Sequence, residues 1–93
     1  MNTLEKQLHN FSKSIENICC NISIRNDDYG PYILAFGLKD MHSFELRKVA
    51  DHFALELWVG MNAEEEEVVA EQKFANIQDA FACAKNWLAR DDV

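Results

Sequence analysis

The stretch CNISIRNDDYGPYILAFGLK, residues 20–39, decides the fold class. Its first half alternates. Cys20, Ile22 and Ile24 fall on one side and Asn21, Ser23 and Arg25 on the other, the period-two pattern of a half-buried strand. Asn26-Asp27-Asp28-Tyr29-Gly30-Pro31 places turn formers in six consecutive positions and ends that strand. Tyr32 to Lys39 reads as the next strand. Tyr32, Leu34, Phe36 and Leu38 share one face, while Ile33 and Ala35 make the other face apolar too. A strand apolar on both faces belongs inside a sheet rather than at its edge. Leu34 and Phe36 are expected in the core, and Gly37 marks a bulge or a close packing contact.

Downstream, residues 43–50 read either as a strand with Phe44 and Leu46 inward or as a short helix capped by Ser43. The strand is preferred, because Asp51-His52 then turns directly into a clear strand, Phe53 to Val59. In that strand Phe53, Leu55, Leu57 and Val59 face the core, and Ala54, Glu56 and Trp58 face away. Trp58 is therefore expected exposed on an open sheet face. A turn follows, taking in Gly60 to Ala63 and Glu64 to Glu66, and then a weaker strand, Val68 to Phe74.

Helices flank the strands. Leu4, Leu8, Phe11, Ile15 and Ile18 form one helical stripe, with Asn2 as cap and Glu5 completing a capping-box pair. This helix is expected to end near Asn17. At the other end Asn76 is an N-cap, and Ile77, Ala80, Phe81, Ala84, Trp87 and Leu88 form a broad apolar stripe. The expected fold is α+β, a two-layer sandwich. It has an N-terminal helix, an antiparallel meander sheet of four or five strands and a C-terminal helix, all in one domain over residues 1–93. No interior connection is long enough for a crossover helix, so the strands pair in sequence order. The expected core is Phe11, Ile22, Leu34, Phe36, Leu55, Leu57, Phe81 and Leu88.

The chemistry-bearing residues do not converge. His9, His42 and His52 lie on the first helix and in two turns, and only His42 and His52 are candidates to meet, across a hairpin. The sequence holds no G-x-S-x-G, no glycine-rich phosphate loop, no CxxC and no HxxxH. The expectation is a protein that is not an enzyme and uses no metal and no cofactor. Cys19, Cys20 and Cys83 are odd in number and two are adjacent, which fits reduced thiols in the cytoplasm better than a disulfide framework. The polar N-terminus carries no secretory signal, and no window approaches the roughly twenty apolar residues of a membrane span.

Charge points toward partners. Sixteen acidic against nine basic residues give a net charge of −7. That charge repels nucleic acid and anionic membrane and attracts basic surfaces. The candidate partner-binding residues are Asp27, Asp28 and Tyr29 in one acidic turn, the run Glu64, Glu65, Glu66 and Glu67 in another, and Trp58 as an aromatic anchor.

The ending VVAEQKFANIQDAFACAKNWL, residues 68–88, follows an amphipathic first helix and an antiparallel sheet in a short acidic chain. The whole resembles small bacterial immunity proteins of contact-dependent growth inhibition and related polymorphic toxin systems. The resemblance covers the architecture and the strand–helix unit over residues 53–90, with no residue-specific motif. It implies a cytoplasmic, non-enzymatic inhibitor that binds one toxin domain, often a basic nuclease, over its active site. Acidic secretion chaperones that bind an effector segment, and phage-encoded protein inhibitors of host nucleases, are similar in size and charge and are the alternatives.

Overall fold

Thr3–Ile15 forms the first helix, α1, and a single 3-10 turn, Glu16–Ile18, leads out of it into strand β1, Cys19–Asp27. Strands β2, Gly30–Gly37, β3, His42–Val49, β4, His52–Val59, and β5, Glu67–Phe74, follow, and helix α2, Ile77–Ala89, closes the order. The computed structural model describes residues 3–38, 42–59 and 67–89. The cap expected at Asn2 and the residues Glu64, Glu65 and Glu66 lie outside them. Glu67, assigned to the turn from sequence, is the first residue of β5.

The five strands form one sheet in the order β1-β2-β3-β4-β5, each antiparallel to the next. Residues 42–49 are a strand, as the short turn at Ala50-Asp51 favours, with Phe44 and Leu46 fully buried. Helix α1 packs over β1 and β2, and α2 over β3, β4 and β5. Both lie on one sheet face, and their apolar stripes meet where the rings of Phe11 and Phe81 stack with centroids 4.2 Å apart. The core lies between the layers, where Leu8, Phe11, Ile15, Ile33, Ala35, Phe44, Leu46, Leu55, Leu57, Ile77, Ala80, Phe81, Ala84, Trp87 and Leu88 are buried.

The facing of β2 corrects the sequence expectation. Ile33 and Ala35 face the helices and are fully buried, whereas Leu34 and Phe36, expected in the core, are half-buried on the opposite face. Both faces of β2 are apolar, so alternation alone cannot choose between them. Space on the helix side, where the backbone of the neighbouring strand comes close, chooses. A Cβ on Gly37 would overlap the backbone carbonyl of His42 and lie 3.1 Å from Leu88. The strand therefore turns its smallest residues toward the helices. Gly37 is thus a close packing contact. Ile22, also expected in the core, is only partly buried but packs against it from the helix face.

Candidate functional site

With both helices on one side, the other face of the sheet carries three rows of side chains fixed by register. Residues directly opposite share a face, so the rows can be read across the strands. The first row is Asn21, Phe36, Ser43, Trp58 and Val68. The second is Ser23, Leu34, Glu45, Glu56 and Glu71, and the third is Arg25, Tyr32, Arg47, Ala54 and Lys73. This face is an apolar band, then carboxylates on three adjacent strands, then a band with cations.

Trp58 points to this face as expected, but it is not exposed. Only 4% of its surface reaches solvent. It lies edge-on to Phe36 at 6.2 Å, the two rings meeting over the small Ser43 that separates them in register. Ser43 itself is fully buried. The expected exposure of Trp58 is overturned: with the small Ser43 between them in register, the two aromatic residues pack together.

Arg47 organises the opposite end. Its Nη1 donates to Asp27 Oδ2 at 2.8 Å, its Nε to Glu45 Oε2 at 3.3 Å, and its guanidinium lies 4.3 Å from the Tyr32 ring centre. Asp27 also accepts the backbone N–H of Tyr29 at 2.9 Å. That backbone hydrogen bond first, and Arg47 second, hold the Asp27 carboxyl below its ordinary range. Asp27 is thus already partnered within the chain. Asp28 and Tyr29 project from the turn, with Tyr29 84% exposed. Gly30 takes a positive φ of 108°, which closes this turn without side-chain strain.

Asp27 and Glu67, the described ends of the two acidic segments named from sequence, lie at opposite ends of the sheet. Asp27 pairs with Gly30 at the end of the sheet where β4 begins, and Glu67 pairs with Val59 where β4 finishes. Seven residue steps of strand separate those ends, roughly 23 Å at about 3.3 Å per residue. Between them lie Glu45, Glu56 and Glu71. Sequence pattern places Glu56 and Glu71 away from the core, but only the strand register reveals that the three carboxylates stand in line.

His42 and His52 do not meet either. His42 pairs with Val59 and His52 with Val49, so the hairpin holds them at its two ends. His42 is buried on the helix side, stacked on Trp87, and His52 is half-buried beside Asp51. Cys19 sits partly buried, and burial first, with Cys20 second, pushes its thiol up to about 11. Cys20 is exposed, its Sγ donating to the Phe36 carbonyl oxygen at 3.4 Å. Among the described residues no three metal-ligating side chains converge, and no helix is long and apolar enough to cross a membrane.

Comparison with protein-family models, with curated proteins and with solved structures gives no match for this chain.

Proposed function

We propose that this chain is a non-enzymatic binding domain for a basic protein, acting in the cytoplasm as an immunity protein that covers the active site of a cognate toxin domain. The observation that carries this reading is the line of Glu45, Glu56 and Glu71 on the sheet face opposite the two helices. Like charges directly opposite across strands destabilise a sheet. Arg47 relieves Glu45 at one end of the line. A partner that sets lysine or arginine over the line brings opposite charge to three adjacent carboxylates, which favours binding. The net charge of −7 acts in the same direction at longer range, steering a basic domain inward and raising its association rate.

The face also sets polarity for docking. Its apolar end, Phe36 and Val68, and its cationic end, Arg25 and Lys73, lie on opposite sides of the carboxylates. A bound domain is thereby given one orientation.

The test is co-expression with the toxin encoded beside this chain, followed by sizing chromatography and stopped-flow association. Protection and a stable complex are expected. The triple variant Glu45→Gln, Glu56→Gln, Glu71→Gln should associate more slowly and with a flatter salt dependence, because screening acts within about 8 Å at physiological salt. Replacing Glu64 to Glu67 by glutamine should perturb association less. An unchanged rate and salt slope in the triple variant would remove the sheet face from the interface. Absence of both protection and complex would remove the immunity reading.

A further inference from the structure

β5 presents a free backbone edge. β5 is the last strand of the sheet, and among the described residues no backbone hydrogen bond reaches its outer side. Val68 and Val69 on it are 51% and 54% exposed. The register shifts between Leu57 and Trp58, which leaves Val69 as the extra residue of a bulge and confines regular pairing to the segment from Ala70 onward.

We propose that two copies of this chain join antiparallel through β5, with a two-fold axis at Gln72, to give one continuous ten-stranded sheet. Antiparallel pairing about Gln72 sets Glu71 opposite Lys73 of the second copy, and Lys73 opposite its Glu71. Both side chains are exposed on the open sheet face, and neither has an ion-pair partner among the described residues. Opposite charges at directly paired positions stabilise a sheet. Sliding the pairing by one residue in each strand, in either direction, sets Glu71 against Glu71 or Lys73 against Lys73, which disfavours those registers. Registers of odd offset would join the helix-covered face of one copy to the open face of the other.

The opposite side of the strand agrees with the same register. Ala70 falls opposite Phe74 of the second copy, small against large. Beside Ala70 on the helix side lies a groove of about 400 Å³ between β5 and α2, lined by Leu57, Gln72, Cys83, Asn86 and Trp87. Phe74 packs partly buried against its own core, and its outer edge meets the small Ala70 across the junction. The two Gln72 carboxamides face each other on the axis, each Oε1 already accepting from Cys83 Sγ of its own copy at 3.8 Å and each N–H able to donate. Charged residues and a bulge on an edge strand are also the means by which a monomer blocks such pairing, and the net charge of −7 per copy opposes association.

Sedimentation equilibrium at physiological ionic strength over a concentration series should give twice the chain mass of 10.7 kDa. Lys73→Glu and Glu71→Lys, each alone, place two like-charge pairs at the junction and should weaken the dimer about tenfold or more. The double variant Glu71→Lys, Lys73→Glu should restore it. Gln72→Cys in a background with Cys20→Ser and Cys83→Ser should cross-link copies under mild oxidation where that background alone does not. Circular dichroism checks that each variant keeps the fold. A monomer at every concentration overturns the proposal. So does a dimer indifferent to the single charge reversals, since its interface then lies elsewhere.

Discussion

The ring of His42 lies flat against that of Trp87, with centroids 4.1 Å apart and planes at 21°, and its Nδ1 is 3.1 Å from the Trp87 carbonyl oxygen. A carbonyl oxygen only accepts, so Nδ1 carries the proton. In return the Trp87 Nε1 donates to the carbonyl oxygen of Ser43 at 2.9 Å. The start of β3 and the end of α2 are thus tied by a stack and two hydrogen bonds. Trp87→Phe keeps an aromatic ring but removes the donor to Ser43. A loss of about 1–3 kcal/mol is expected from urea denaturation. An unchanged midpoint would show that the bond contributes nothing net.

Gly37 and the facing of β2 give a second measurable consequence. Gly37→Ala must displace the His42 backbone or Leu88, and backbone yields poorly. A cost of about 1–3 kcal/mol is expected, as for other overpacked sites. Leu55→Ala, at a fully buried position, should cost about 2–5 kcal/mol. Leu34→Ala, on the half-buried open face, should cost clearly less. Equal losses at Leu34 and Leu55 would contradict the facing of β2.

Ala50, in the turn between β3 and β4, has a φ of +55°. A Cβ at positive φ costs roughly 1–2 kcal/mol. Ala50→Gly relieves it but adds freedom to the unfolded chain, worth about 0.4–1 kcal/mol. The net expectation is a gain of up to about 1 kcal/mol, read as a raised melting temperature. A lowered one would show that the turn is unstrained.

Asp27 links stability to pH. Its folded pKa lies below its unfolded one, so the charged form favours the native state. That contribution is present above the ordinary carboxylate range and is lost as pH falls through the folded value. Asp27→Asn should therefore be less stable than the parent near neutral pH, and the difference should shrink as the solution is made acid. A difference that stays constant across the titration would assign the effect to something other than the charge.

Both helices and most strands are legible in the sequence from their periods, while residues 43–50 are read as a strand only through the short turn that follows them. The helix stripes and the alternation in β4 have one apolar side each, and core residues such as Phe11, Leu55 and Leu88 follow directly. β2 has two apolar sides, and its facing depends on how near the backbone of the neighbouring strand comes to Gly37, a distance no local pattern encodes. The burial of Trp58 likewise depends on which residue stands between it and Phe36. The line of Glu45, Glu56 and Glu71 needs the register of three strands at once, whereas Asp27-Asp28 and the glutamate run stand out because they are contiguous.

Every strand bonds to the one that follows it in the chain. Most of the sheet can therefore zip from its short turns, each loop closing at small entropic cost. The helices add contacts of another kind, the longest-range ring contact being the Phe11–Phe81 stack, which closes a loop from residue 11 to residue 81. Low contact order elsewhere favours quick folding, so the docking of the two helices is the slow step of assembly. Folding should then be delayed more by mutation at that stack than by equally destabilising mutation in the β3–β4 turn.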